Sequence, residues 1–106
     1  MGRYLTSTLN YSTTNVVTGV SVTAKANERV ICTAGGITVT LPAEPTVEDT
    51  VQIIDVTGVA GSSNITVGRN GEEIQNAASD LVIDINNASP ILTYTGSTYG
   101  WVIAGS

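Results

Sequence analysis

Apolar and polar residues alternate along most of this chain, in short bursts separated by turn-forming residues. Ile37, Val39 and Leu41 interleave with Thr38 and Thr40, and Val51, Ile53 and Asp55 oppose Gln52, Ile54 and Val56. Val20, Val22 and Ala24 alternate with Ser21 and Thr23, and Ile65 and Val67 flank Thr66. Leu81, Ile83 and Ile85 alternate with Val82 and Asp84, and Trp101 and Ile103 flank Val102. A period of two places successive side chains on opposite faces of a strand, so each burst predicts a half-buried strand. Helical spacing nowhere persists beyond one turn.

The breaks carry turn chemistry. Gly35-Gly36 and Asn70-Gly71 both tolerate positive φ at two successive positions, which predicts two-residue hairpin turns. Gly96 to Gly100 forms a longer turn between Ile91–Thr95 and Trp101–Ala104. Pro42 cannot donate to a sheet ladder and ends the strand before it. Pro42–Asp49 and Gly58–Asn64 then read as loops. With about eight short strands and turns about every 8–12 residues, the pattern predicts an all-β fold. The expected domain is a compact antiparallel sandwich or jelly-roll-like body over residues 16–106. Met1–Asn15 has too few apolar residues for a core and reads as an extended N-terminal arm. Its anchors on a partner would be Arg3, Tyr4, Leu5, Leu9 and Tyr11, since aromatic side chains carry interface energy.

Composition narrows the function classes. The chain has 106 residues, of which only 12% are charged, enough for one domain. Net charge is −5, and the basic residues Arg3, Lys25, Arg29 and Arg69 are scattered. No basic stripe exists to neutralise phosphates, so neither nucleic acid nor an anionic membrane is an expected partner. No apolar run reaches the roughly 18 residues of a spanning helix. The first residues lack the charged start and apolar block of a signal peptide, so synthesis in a cytoplasm is expected.

Candidate chemistry is sparse. Histidine is absent, which removes the commonest general base and any Ser-His-Asp or Cys-His arrangement. Cys32, the one cysteine, lies in the apolar run Val30-Ile31-Cys32 and reads as a small buried hydrophobe. Asp80 and Asp84 share a strand face, but four residues on a strand separate them by about 13 Å, too far to share one cation. A glycosidase-like carboxylate pair such as Asp55 with Asp84 ranks last, because aromatic sugar platforms are scarce. Trp101 reads as a core or subunit-interface residue rather than an exposed stacking ring, and Tyr99 joins it as a candidate interface residue. The chain is expected to be no enzyme and to need no cofactor.

Taken in order, several segments resemble a module found in tailed-bacteriophage virion proteins. Cys32-Thr33-Ala34-Gly35-Gly36-Ile37-Thr38-Val39-Thr40-Leu41-Pro42-Ala43 is similar to its opening. Val51–Val56, Asn64–Gly71, Ile74–Leu81, Tyr94 and the closing Gly100-Trp101 follow in the module's order. The resemblance covers about residues 29 to 104, with one departure: Glu48-Asp49-Thr50 stands where a Gly-Asp is usual. It implies a virion structural role, usually as a homotrimer, in head decoration or in head and tail fibres. One module behind a short arm fits a decoration, or cement, protein on the capsid surface. Its partners would be the major capsid protein and further copies of itself. The alternative is a tail- or head-fibre tip module that binds a host receptor or glycan.

Overall fold

The computed structural model describes residues 13–105. The described residues form nine strands and no helix: β1 (Thr14–Thr18), β2 (Val22–Thr23), β3 (Glu28–Cys32), β4 (Thr38–Thr40), β5 (Thr50–Asp55), β6 (Ile65–Gly68), β7 (Leu81–Ile83), β8 (Ile91–Tyr94) and β9 (Trp101–Gly105). Two sheets result, ordered β1-β3-β5-β8-β9 and β2-β4-β6-β7. From β1 to β6 the chain alternates between the sheets, and each new strand pairs parallel with the one laid down a turn earlier. This part of the chain is therefore a short coil. β7, β8 and β9 then return antiparallel on β6, β5 and β8.

The all-β expectation is met, but the strands are not all antiparallel. The sheets are mixed. Each coil strand turns one face inward and one outward, so its sequence alternates as an antiparallel strand would. Inward residues Val30, Cys32, Val39, Leu41, Val51, Ile53, Ile65 and Val67 join Leu92 and Trp101 in one core, each fully buried. Trp101 packs against Tyr94 with ring centroids 5.4 Å apart and planes tilted by 55°, a favourable edge-on geometry.

The hairpin expectations need correction as well. Gly35-Gly36 carries the chain from β3 in one sheet to β4 in the other. Its glycines allow one corner of the coil to stack on the next. A Cβ on Gly35 would overlap the Ser63 carbonyl, and the Gly36 N–H donates to the carbonyls of Ser63 (3.3 Å) and Asn64 (3.0 Å). Asn70-Gly71 does form a tight turn, with φ of 51° and 94° and the Glu72 N–H donating to the Arg69 carbonyl at 3.3 Å. No hairpin follows it, because β6 pairs with β7 instead. The chain leaving the turn lies along β9: the Trp101 N–H donates to the Glu73 carbonyl at 2.7 Å, and the Gln75 N–H to the Trp101 carbonyl at 2.8 Å. Only Gly96–Gly100 closes the hairpin expected of it, between β8 and β9.

Thr14 and Asn15, grouped with the arm in the sequence, are the first residues of β1 and pair with Glu28 and Arg29. Asn15, Arg29 and Gln52 form a polar row across the outer face: Arg29 Nε donates to Gln52 Oε1 at 3.0 Å and a guanidinium nitrogen to Asn15 Oδ1 at 3.3 Å.

Two glycines with positive φ separate strain from crowding. Gly100 (φ 71°) has no room for a Cβ beside the Glu73 carbonyl, whereas Gly71 (φ 94°) faces open space. Gly71→Ala should lower stability by about 1–2 kcal/mol, the left-handed penalty alone. Gly100→Ala should lower it by about 3 kcal/mol or more, because backbone must also shift. Urea unfolding of the two variants measures the difference.

Candidate assembly surface

The last parallel strand of the larger sheet, β5, ends on an inward-facing carboxylate. Asp55 follows Val51 and Ile53 on the buried face of β5 and is only 1% exposed. Its oxygens accept the backbone N–H groups of Gly58 (3.2 Å), Ala60 (2.9 Å) and Asn87 (3.0 Å). Asn87 Nδ2 also donates to the Asp55 carbonyl at 3.3 Å. The neighbouring Asn86 Oδ1 accepts the Gly61 N–H at 2.7 Å, and Asn64 Nδ2 donates to the Ala60 carbonyl at 2.7 Å. Burial alone would push the Asp55 carboxyl up, but the surrounding backbone N–H groups outweigh it and hold the group below its ordinary value.

Asp55 thus ties together the corner after β5 and the chain returning between β7 and β8. That returning segment forms one wall of an apolar slot. The Asp55 N–H donates to the Ala88 carbonyl at 3.0 Å and the Ile53 N–H to the Pro90 carbonyl at 3.1 Å, which fixes the wall against β5. Ile85 and Pro90 line the slot with Leu81, Val82 and Ile83 of β7 and Ile103 of β9. Its volume is about 220 Å³. Ile85 is 68% exposed, Val82 52% and Ile103 38%. Single exposed hydrophobes are ordinary, but several around one concavity mark a surface that favours contact. The slot lies between β7 and β9, each an edge strand of its sheet.

The structure distributes the other sequence candidates as follows. Trp101 is fully buried, so its ring cannot reach a partner or a sugar in this fold; it is a core residue. Tyr99, in the β8–β9 turn, is exposed. Arg3, Tyr4, Leu5, Leu9 and Tyr11 lie outside the described residues. Asp80 and Asp84 flank β7, and Asp80 Oδ1 accepts the Arg69 N–H at 2.9 Å. Among the described residues no three His, Cys, Asp or Glu side chains gather as metal ligands. Asp55 accepts hydrogen bonds at the heart of the corner, and is not paired with Asp84 there. Its structural role escaped the sequence reading, although an aspartate on the inward phase of an alternating strand, three residues before a glycine, is the signal for it.

Cys32 is buried opposite Asp55 in the β3–β5 register. Burial first, and the Asp55 charge second, push its thiol up to about 11, so it stays protonated and unreactive at neutral pH. Tyr94 donates its hydroxyl to Glu72 Oε1 at 2.9 Å; burial and that acceptor raise its pKa above the ordinary value. No protein-family model matches the chain, and no curated protein matches it.

Asp55→Asn should destabilise the fold by roughly 2–4 kcal/mol, since an amide nitrogen would face N–H donors. The wild type should keep the full Asp55 contribution above its unfolded pKa, near 3.8, and lose it as pH falls through the lower folded value. Asp55→Asn should flatten that part of the stability–pH curve; urea midpoints from neutral to acid pH test both points. Cys32 should resist alkylation in the native chain and react once it unfolds, as followed by intact mass.

Proposed function

We propose that this chain is a structural protein of a tailed-bacteriophage virion. It acts as a decoration, or cement, protein that binds the outer capsid surface as a homotrimer and stabilises the shell. The observation that carries this reading is the open apolar slot at the β7–β9 end, with Val82, Ile85 and Ile103 exposed around it. Covering such a surface by copies of the same chain is the usual route to a closed symmetric oligomer. The order of the segments from Cys32 to Trp101 supports the virion setting. In this mechanism each trimer makes many weak contacts to the major capsid protein, and symmetry multiplies them. The first residues, Arg3 to Tyr11, reach neighbouring subunits.

The other reading, a fibre-tip module that binds a host receptor or glycan, loses its aromatic platform. Trp101 is in the core, which leaves Tyr99 as the one exposed aromatic ring among the described residues.

Purified protein should rebind stripped capsids at high copy number, and a chain lacking residues 1–12, which keeps β1 whole, should fail to do so. Equal binding by the truncated chain overturns the arm's role, and no binding by the full chain overturns the capsid role. Ile85→Lys should shift the native mass from trimer to monomer while changing unfolding free energy by no more than about 0.5 kcal/mol, as befits an exposed site. A wild-type monomer at micromolar concentration would remove the trimer from the proposal.

A further inference from the structure

The turn at Asn70-Gly71 has a chemical property independent of assembly. Asparagine is among the chemically labile side chains of proteins. Its amide carbon can be attacked by the backbone nitrogen of the next residue if that nitrogen is free and uncrowded. The sequence contains one Asn-Gly pair. The fold sets it apart from Asn27, Asn76, Asn86 and Asn87 more sharply than the sequence does.

After Asn27, the Glu28 N–H donates to the Lys25 carbonyl, and after Asn76 the Ala77 N–H donates to the Ile74 carbonyl. After Asn86, the Asn87 N–H is held by Asp55 Oδ2. After Asn87, the Ala88 N–H donates to the Ile85 carbonyl. Each of those nitrogens is engaged. Among the described residues the Gly71 N–H has no hydrogen-bond partner. Asn70 and Gly71 are both exposed, and nothing lies within 4 Å of the position a Gly71 Cβ would take.

We propose that Asn70 is a site of spontaneous deamidation in the native protein. The Gly71 nitrogen bonds to Asn70 Cγ, the Cγ–Nδ2 bond breaks, and Nδ2 leaves as ammonia with the proton that Gly71 gave up. A five-membered succinimide remains. Water then opens it at the backbone carbonyl to give isoaspartate, or at Cγ to give aspartate. One water is consumed and one ammonia released, with no change in oxidation state. The local consequence is specific. Asn70 Nδ2 donates to the Leu41 carbonyl at 3.0 Å, tying the turn to the chain leaving β4. Either product puts an acceptor where that donor was, so the tie is lost, and a negative charge is added to a chain of net charge −5.

The test incubates the purified native chain at mildly alkaline pH beside a sample unfolded in urea. Peptide mapping by mass spectrometry and isoaspartyl-methyltransferase labelling follow each asparagine. In the native chain Asn70 should convert first, to a mixture of isoaspartate and aspartate, while Asn27, Asn76, Asn86 and Asn87 stay amides. Those four should gain on it only in urea, where their neighbours' hydrogen bonds are gone. Native Asn70 remaining intact while the unfolded chain converts there would overturn the proposal, as would earlier native conversion at Asn76 or Asn87. Asn70→Gln should abolish isoaspartate labelling at this position; persistence of the label there would also count against it. Asn70→Asp should reproduce the thermal shift of the aged wild type.

Discussion

The carboxylate of Asp55 is the constraint on which the rest of this molecule depends. It ends β5, the last parallel strand of the larger sheet, where the outgoing corner meets the chain that returns between β7 and β8. A coil whose turns pass from sheet to sheet must bend its backbone at corners, and bent backbone exposes N–H groups that no ladder satisfies. Asp55 gathers three of them, from both the outgoing corner and the returning chain. An ionised acceptor in a poorly solvated site makes stronger hydrogen bonds than a neutral one would. The same group faces Cys32 across the strand pair, and its charge adds to the burial that keeps that thiol inert.

The phase of the fold was readable from the sequence, whereas its direction was not. Alternation placed Ile37, Val39, Leu41, Val51, Ile53, Asp55 and Trp101 in phase, and all of these are buried, whereas Val20, Ile85 and Ile103 of the same bursts stay exposed. Parallel pairing was hidden for two reasons. Each coil strand has a solvated face, so it lacks the continuous apolar run expected of buried parallel strands. The turns also differ in length. Partner residues in the first sheet are 14 and then 23 positions apart, as in Thr14, Glu28 and Val51. In the second sheet they are 17 and then 28 apart, as in Val22, Val39 and Val67. No fixed period exists for a repeat search to find. Gly35-Gly36 misled for a related reason: its glycines answer a close approach by Ser63, a contact between distant parts of the chain.

The candidate surface was only partly legible. Val82 and Ile85 fell on predicted strand positions of opposite phase, and nothing local signalled that Ile85 would leave the strand and stay exposed. Trp101 reads from the sequence as a core or subunit-interface residue, and its place is the core, beside Tyr94. The slot is made by the meeting of β7, β9 and the segment pinned by Asp55, so it exists only in three dimensions. Such a surface, apolar and shallow with acidic residues nearby, suits contacts that are individually modest and repeated many times.

The segment Glu73–Gln75 has a consequence for how copies of this chain can meet. It occupies the outer backbone groups of Trp101, while Gln75 Oε1 accepts the Ile103 N–H at 2.9 Å. The β9 edge of the larger sheet is thus plugged by the chain itself. The β7 edge of the smaller sheet is three residues long and bracketed by Asp80 and Asp84, features that discourage strand addition. At this end the molecule offers side chains and withholds backbone. Any contact made here would run through side chains, because the β7 and β9 edges offer little backbone to extend strand on strand.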